Sequence, residues 1–339
     1  MKLTRYPHNP VLEPDPTRDW ESGAVFNCGA AIGPDGLIYL LYRAVPKGYT
    51  KKPTGQGYEN YISSIGCAFS EDGVHFTRFE RPVIEPEEDY ERFGCEDPRV
   101  TRLDLQGDII YLITYTALFA PAFSPYGNRV ALASTEDFRT FHKHGVVIPE
   151  LEDKDAVIFP EPIRGKIAML HRVAPNIQIV YFDDLEQLMH PQEDFWSKYR
   201  ASLDDFTVMR PQFEWEAKKI GAGAPPIKTE EGWLLIYHGV DRDHVYRAGA
   251  ALLDLEDPSK VIARSPEPIL EPEEDYECEG DVPNVVFPEG AVVIGDTLHV
   301  YYGAADKRCC LATAKLKDLV LSLIHISEPT RLGMSSYAV

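Results

Sequence analysis

One pattern of apolar and polar residues recurs five times along the chain. In each copy a turn containing glycine is followed by a run rich in Tyr, Leu and Ile, which is typical of a β-strand. The copies lie at residues 36–43, 107–115, 165–172, 232–238 and 295–302. They begin about 60 to 70 residues apart, so we infer that one structural unit is repeated.

Two further segments recur in step with this pattern. A second apolar run, in most copies ending in an acidic turn, lies at residues 65–72, 130–137, 177–184, 246–254 and 310–316. The phrase Pro-Val-Leu-Glu-Pro at residues 10–14 returns in closely related form at 82–86 and 268–272. Short strands joined by glycine turns in five repeats predict an all-β fold, a five-bladed β-propeller with antiparallel blades around a central channel. The one helix predicted lies at residues 194–203, and no flexible linker divides the repeats.

The last residues of the chain break the pattern. Residues 321–339, which begin Leu-Ser-Leu-Ile-His-Ile-Ser-Glu-Pro-Thr-Arg, resemble a translated sequencing adapter of the transposase type. We therefore predict a propeller domain at residues 1–320 and an artefact outside the fold at residues 321–339. Because Leu321, Leu323, Ile324 and Ile326 would then be exposed, deletion of this segment is expected to leave stability unchanged or improved.

Charge and composition narrow the classes of function. The 339-residue chain has a formal net charge of −20, which argues against nucleic acid and against an anionic membrane surface as partners. Its six cysteines lack the spacing of a metal site and lie mostly in apolar runs, so buried thiols in a reducing cytoplasm are expected. No membrane-spanning stretch or signal peptide is present in the sequence, and we predict a cytoplasmic protein without a metal ion.

Candidate functional residues follow from the place of the repeated strands in a propeller, where ligands usually bind at the mouth of the channel. If the glycine-led strands are innermost, their ends bring Arg43, Arg172 and His238 to that mouth. Cations at the same phase of a repeat in an acidic protein predict an anion pocket. Neighbouring loops add Lys154, Asp155, Lys228 and Tyr246, and residues beyond the fifth strand add Asp306.

The sequence Glu96-Asp97-Pro98-Arg99 stands out between an acidic turn and a predicted strand. Pro98 restricts its own φ angle and favours an extended conformation at Asp97, so that carboxylate has a defined direction. Arg99 is close enough to hold a carboxylate or an anionic ligand in a two-pronged contact. By itself, this motif is also compatible with a surface turn containing an ion pair.

Taken together, these motifs resemble glycoside hydrolase family 130, the mannoside phosphorylases and related mannosidases. The resemblance extends from about residue 9 to residue 316. It is carried by residues 20–27, 42–43, 94–99, 154–155, 159–161, 170–172, 221–228, 237–239 and 301–306. It implies a five-bladed propeller, in agreement with the repeats. The implied reaction is inverting phosphorolysis of β-linked mannosides, mannobiose or mannooligosaccharides, by inorganic phosphate, which releases α-D-mannose 1-phosphate.

The resemblance also implies roles for individual residues. Asp97 is the implied general acid, acting through the mannose 3-hydroxyl, and it must then retain a proton near neutral pH. A second catalytic carboxylate is not required, because phosphate replaces the water and base of an inverting hydrolase. The phosphate ligands implied are Arg172, Lys228, His238, Tyr246 and Lys154. The substrate-binding residues implied are Asn27, Arg43, Glu96, Arg99, Asp155 and Asp306.

Two other functions stay open at this point. One is a β-mannoside hydrolase on the same propeller, with water as the nucleophile, and the other is a non-catalytic sugar-binding propeller. The basic residues favour a phosphorylase. No cofactor is expected, and inorganic phosphate is counted as a co-substrate. The expected partners are a small carbohydrate and phosphate. The acceptor sugar, the linkage and a homo-oligomeric state are left open by the sequence.

Overall fold

Five β-sheets arranged in a ring form the molecule, and the computed structural model describes residues 1–53, 57–124 and 126–327. All strand pairs within the sheets are antiparallel. The predicted five-bladed propeller is therefore confirmed. We number the blades 1 to 5 along the chain, and we number the strands of each blade outward from the axis.

Strand bounds follow the repeat closely. Blade 1 consists of Ala24–Ile32, Ile38–Val45, Ser64–Ser70 and Thr77–Arg78. Blade 2 consists of Cys95–Leu105, Asp108–Leu118, Asn128–Thr135 and His142–Ile148. Blade 3 consists of Lys154–Ile158, Ile167–Arg172, Ile177–Phe182 and Thr207–Met209. Blade 4 consists of Lys219–Ala222, Trp233–Val240, Tyr246–Leu253 and Val261–Arg264, with Ile227–Lys228 paired to its second strand.

Blade 5 joins the two ends of the propeller sequence. Its inner three strands are Val286–Ile294, Thr297–Ala304 and Arg308–Lys315. The fourth strand is Thr4–Arg5, in which Thr4 pairs with Thr313 and Arg5 with Ala312. The N-terminal strand thus closes the ring.

Helical segments and one small hairpin lie outside the blades. The α-helices are Leu185–Met189, Glu193–Ala201, Asp275–Cys278 and Leu316–Ser327. Short 3-10 turns lie at Asp19–Glu21, Asp89–Glu91, Leu203–Phe206 and Glu214–Glu216. The hairpin pairs Thr50–Lys51 with Tyr58–Glu59. The predicted helix at 194–203 is found at Glu193–Ala201, where Trp196 and Tyr199 are buried.

The innermost strand of each blade is not the glycine-led strand, which takes the second position in all five blades. The expectation that the glycine-led strands line the axis is therefore wrong. The first strands approach one another closely: a Cβ atom on Gly29 would lie 2.3 Å from the carbonyl oxygen of Pro98, and one on Gly290 would lie 2.6 Å from that of Cys28. Only a residue without a side chain fits where backbones converge this closely.

A buried glutamate fastens four of the five blades in the same way, and we call this arrangement the glutamate tie. The glutamate lies in a short helical turn ahead of the first strand, accepts a hydrogen bond from a second-strand tyrosine and contacts a cation on the fourth strand. The four ties are Glu21 with Tyr42 and Arg78, Glu91 with Tyr115 and Lys143, Glu216 with Tyr237 and Arg264, and Glu277 with Tyr302 and Arg5. In blade 3, His171 and Asp153 occupy the corresponding region, 2.6 Å apart.

The helix Leu316–Ser327 crosses the boundary expected at residue 320. Leu319, Val320 and Leu323 are buried in the core shared by blades 4 and 5. The expected exposure of Leu323 is therefore wrong, because the apolar face of the helix packs on this core. The foreign origin of residues 321–339 stays a prediction from the sequence, and residues 328–339 lie outside the described residues.

Five of the six cysteines are buried and Cys278 is partly buried, all of them as free thiols. Within residues 1–53, 57–124 and 126–327, no helix has the length and apolar character needed to cross a membrane.

Candidate active site

A cavity of about 270 Å³ opens at the propeller axis. Most of the side chains proposed from the sequence lie in its wall: Asn27, Arg43, Glu96, Asp97, Lys154, Asp155, Arg172, His238, Tyr246 and Asp306. They come from all five blades, which explains why residues far apart in the sequence meet here.

Four acidic or amide side chains reach the cavity from an unusual backbone conformation. Asn27, Asp97, Asp155 and Asp306 have φ angles of 51°, 53°, 58° and 51°. Asn and Asp tolerate this left-handed region better than other residues with side chains. The first three also lie at β-bulges, where the ladder of the first strand is interrupted. A bulge redirects the side chain, which here presents a polar group to the channel.

Asp97 lies in the acidic half of the site. Its Oδ1 atom accepts a hydrogen bond of 2.8 Å from Asn27 Nδ2 and lies 2.8 Å from Arg43 Nη2. The same Arg43 nitrogen donates to Glu96 Oε2 at 2.8 Å. All four side chains are buried, so one guanidinium holds two carboxylates in fixed positions.

Asp155 organises the cationic half. Its Oδ1 accepts from Arg99 Nη2 at 2.8 Å. Its Oδ2 lies 2.9 Å from Arg172 Nε and 3.5 Å from His238 Nε2. One carboxylate therefore orients an arginine and a histidine that both face the cavity.

The charge states of the acidic groups differ from expectation. Burial favours a raised pKa for Asp97, but Arg43, Lys154 and Arg99 outweigh burial and hold the pKa of Asp97 below its usual range. The role implied for Asp97 requires a proton near neutral pH, and these three cations act against that proton. Burial together with Asp97 and Glu96 instead raises the pKa of Asp306 to about 7.

The cationic groups are also shifted. Burial lowers the pKa of His238 to about 3, so this ring is neutral at pH 7. Burial and Arg172 lower the pKa of Lys219 to about 7, despite an opposing effect of Asp155. Lys219, whose Nζ lies 5.4 Å from the centre of the Tyr246 ring, is therefore a group whose positive charge a bound anion would stabilise.

Lys228 is not part of the cavity wall, and its assignment as a phosphate ligand is corrected. Its side chain is 51% exposed and forms an ion pair with Glu161 on the surface. Lys219, which the sequence reading missed, lines the cavity instead. A signal for it exists in the sequence, because Lys219 opens the first strand of blade 4 as Lys154 opens that of blade 3.

Arg99 lies behind the wall, with 1% of its surface exposed, and contacts Asp155 rather than the cavity. The sequence reading also missed Phe287 and Asn128, which line the cavity, and Glu289, which lies behind it in contact with Arg99. In the described part of the chain, no group of three or more His, Cys, Asp or Glu side chains is arranged to hold a metal ion.

A five-bladed propeller with a buried acid on one side of an axial cavity and a cluster of cations on the other defines a carbohydrate-active enzyme that uses an anion. The chain belongs to glycoside hydrolase family 130, whose model, described as beta-1,4-mannooligosaccharide phosphorylase, matches residues 2–324. The resemblance inferred from the sequence is confirmed, as is the class of glycoside phosphorylase that transfers hexosyl groups from β-mannosides.

Individual relatives refine this picture. The 1,2-beta-oligomannan phosphorylase of Thermoanaerobacter sp. is 44% identical over 319 residues, which cover 94% of this chain and 99% of the relative. The solved complex of the Listeria innocua beta-1,2-mannobiose phosphorylase with beta-1,2-mannobiose has a TM-score of 0.79 and 32% identity, and it covers 95% of this chain and 99% of that chain. The beta-1,4-mannooligosaccharide phosphorylase of Ruminococcus albus is 34% identical and covers 76% of this chain and 75% of the relative.

Proposed function

We propose that this enzyme phosphorolyses β-1,2-linked mannosides. Both the Thermoanaerobacter and the Listeria relatives carry that linkage in their names, and each is covered almost completely. The observation that carries the phosphate role is the cluster around Asp155, in which Arg172, His238 and the nearby lysines face the cavity opposite Asp97.

Phosphate binds in this proposal between Arg172, Lys154 and Lys219, with the neutral His238 ring and the Tyr246 hydroxyl as further hydrogen-bonding groups. An arginine offers a planar pair of donors, whereas a lysine offers a compact charge. A phosphate group near pH 7 carries between one and two negative charges, so more than one cation is needed in a partly dry cavity.

The mannosyl group of the substrate lies against Asn27, Arg43, Glu96 and Asp306. A phosphate oxygen forms the new bond to the anomeric carbon while the bond to the acceptor oxygen breaks on the opposite face. The leaving oxygen receives a proton that originates on Asp97 and passes through the mannose 3-hydroxyl. The products are α-D-mannose 1-phosphate and the shortened mannoside.

Phosphate also favours the protonated form of Asp97 in this proposal. Lys154 is one of the three cations that lower the pKa of Asp97. A phosphate anion beside Lys154 offsets that positive charge, which raises the pKa of the nearby carboxyl group. Proton donation by Asp97 is thus favoured when the nucleophile is in place.

The competing function is β-mannoside hydrolysis. A solved structure described as belonging to glycoside hydrolases that target beta-1,2 mannosidic linkages in Candida mannan has a TM-score of 0.76 and 26% identity. It covers 93% of this chain and 94% of that chain. With water as nucleophile, the cations around Asp155 would have no anion to bind.

The deciding experiment incubates the protein with β-1,2- and β-1,4-mannobiose and longer β-1,2-mannooligosaccharides, with and without inorganic phosphate. We expect mannose 1-phosphate from the β-1,2 substrates and little release of mannose without phosphate. Free mannose formed at the same rate in both conditions establishes the hydrolase. Faster phosphorolysis of β-1,4-mannobiose supports the phosphorylase activity but contradicts the proposed preference for β-1,2 linkages.

A cytoplasmic location is also proposed, supported by buried free thiols that suit a reducing compartment.

A further inference from the structure

Glu289 is a fully buried carboxyl group at the axis that the reaction described above does not use. Its side chain is 0% exposed, and it is the extra residue of a bulge in the first strand of blade 5. Neither of its oxygens has a well-directed hydrogen bond within the part of the chain that the structure describes, although Arg99 Nη2 lies 2.7 Å from Oε1. A buried polar group without hydrogen bonds lowers the stability of the fold, so its presence here calls for an explanation.

Arg99 connects Glu289 to both halves of the active site. Its Nη1 atom donates to the backbone carbonyl oxygen of Asp97 at 2.9 Å. Its Nη2 atom lies between Glu289 Oε1 at 2.7 Å and Asp155 Oδ1 at 2.8 Å. One rigid guanidinium group therefore fixes the backbone of the acid and the carboxylate that holds Arg172.

The same strand makes a second contact with the cationic half. Phe287, two residues before Glu289, lines the cavity, and its ring centre lies 4.3 Å from that of His238. The strand Val286–Ile294 thus touches the phosphate side of the site twice, once directly and once through Arg99 and Asp155.

We propose that Glu289 is a positioning residue for phosphate: its Oε1 atom holds Arg99 so that Asp155 keeps Arg172 aimed into the cavity. This inference rests on the proposed function, because it assumes that Arg172 binds phosphate. The contact depends on the reach of the oxygen atom rather than on a negative charge. Burial raises the pKa of Glu289 well above its usual range, although Arg99 opposes that shift, so a neutral side chain of the same shape suffices.

Two substitutions separate the effect of the side-chain length at position 289 from the effect of its charge. Glu289→Asp keeps the carboxyl group but withdraws its oxygen by one methylene, whereas Glu289→Gln keeps an oxygen at full reach without the charge. We expect Glu289→Asp to raise the phosphate KM by about three- to tenfold, because the loss of the contact with Arg99 loosens Asp155 and Arg172, while the mannoside KM stays within about twofold. Glu289→Gln stays within about twofold of the unsubstituted enzyme in both constants.

Glu216→Asp is the matched control, because Glu216 is equally buried but belongs to the glutamate tie of blade 4. We expect Glu216→Asp to lower the melting temperature without a selective change in the phosphate KM. A second readout is the rise in melting temperature caused by inorganic phosphate alone, which is smaller for Glu289→Asp because weaker binding stabilises less. If Glu289→Asp does not fold, Arg99→Lys tests the same link, since a lysine cannot contact all three partners, and a phosphate-selective defect is again expected.

The inference is overturned if Glu289→Asp changes both KM values equally or neither of them, or if Glu289→Gln is as damaging as Glu289→Asp. An unchanged phosphate KM in Arg99→Lys overturns it as well. Failure of the proposed function has a different signature, because the unsubstituted enzyme then releases no mannose 1-phosphate. The phosphate-induced change in melting temperature still decides the role of Glu289 in that case.

Discussion

In the proposed function, single residues of the cavity wall divide the chemistry between a proton donor and an anion site, and Arg99, behind the wall, connects the two through Asp155. Asp97 is bound by Asn27 and Arg43 on one side, and its backbone carbonyl accepts from Arg99 on the other. Its position is therefore fixed independently of its protonation. The proton donor and the anion site can therefore be tested by separate substitutions, each of which changes one property.

Asp97→Asn is expected to lower turnover by about two to four decades, because it removes the proposed general acid, while the fold is kept. Asparagine tolerates the left-handed backbone at this position, where φ is 53°. The measurement is kcat for mannoside phosphorolysis together with a melting curve. A loss of less than about tenfold moves the acid role elsewhere, with Glu96 the next residue to replace.

Arg172→Ala is expected to raise the phosphate KM by about ten- to a hundredfold, because one charge-assisted contact is lost, with little change in the mannoside KM. Lys228→Ala is the matched control: that lysine pairs with Glu161 on the surface, so its removal leaves both constants unchanged. Steady-state kinetics with each substrate varied in turn gives both values. A normal rate of mannoside cleavage by Arg172→Ala without phosphate points to the hydrolase instead.

Asp306→Asn is expected to stabilise the protein above neutral pH when no substrate is added. The folded-state pKa of about 7 lies above the ordinary value of 3.8, so the folded state binds more protons between those values and wild-type stability falls as the pH rises through them. Asparagine does not ionise, so its melting temperature exceeds that of the wild type by about 2–5 °C at pH 8. Melting curves at pH 4 and pH 8 check this, since the difference must shrink at the lower pH.

Secondary-structure elements in this protein are held together by polar ties as well as by apolar packing. Each glutamate tie joins three parts of a blade: the turn before the first strand, the second strand and the outermost strand. The hydrogen bonds from tyrosine to glutamate measure 2.7 to 3.0 Å. A buried carboxylate with a tyrosine and a cation as partners avoids the cost of an unpaired charge.

Tyr115→Phe is expected to lower the free energy of unfolding by about 1.5–3 kcal/mol, since Glu91 loses a buried hydrogen-bond donor but keeps Lys143. Tyr126→Phe is the control, because the Tyr126 side chain is exposed and the substitution removes the same hydroxyl group. Thermal or denaturant melting of both variants gives the comparison. Equal stability of the two variants contradicts a structural role for the tie.

Blade number could be predicted from the sequence because the same apolar strand recurs five times. The radial order of the strands could not, since first and second strands are both apolar, and it is the close approach of first strands, such as that of Gly29 to Pro98, that identifies the axis. Most site residues could be predicted from their repeat position. Lys219 and Lys228 border the same glycine-rich segment, and the structure places Lys219 in the cavity wall and Lys228 on the surface.

At the scale of the whole molecule, the N-terminal segment and the helix Leu316–Ser327 meet in the core between blades 4 and 5. The core at this junction contains Leu3 from the N-terminal segment and Leu319, Val320 and Leu323 from the C-terminal helix. Its stability therefore depends on residues on both sides of position 320.

Two truncations test this dependence. Deletion of residues 328–339 is expected to leave the melting temperature unchanged. Deletion of residues 321–339 is expected to lower it by a few degrees, because loss of the buried Leu323 side chain costs about 1.5–3 kcal/mol. Equal melting temperatures for the two truncations show instead that the second half of the helix adds no stability, as the sequence alone suggested.

Closure of the ring by the strand Thr4–Arg5 sets the order of events during synthesis. The partner strand Arg308–Lys315 is made about 300 residues after Thr4–Arg5. At bacterial and eukaryotic elongation rates this delay is roughly 15 to 60 seconds. For most of that time Arg5 also lacks Glu277, and the ring of blades cannot close before both partners are made. Closure of the ring therefore joins two strands that are synthesised far apart in time.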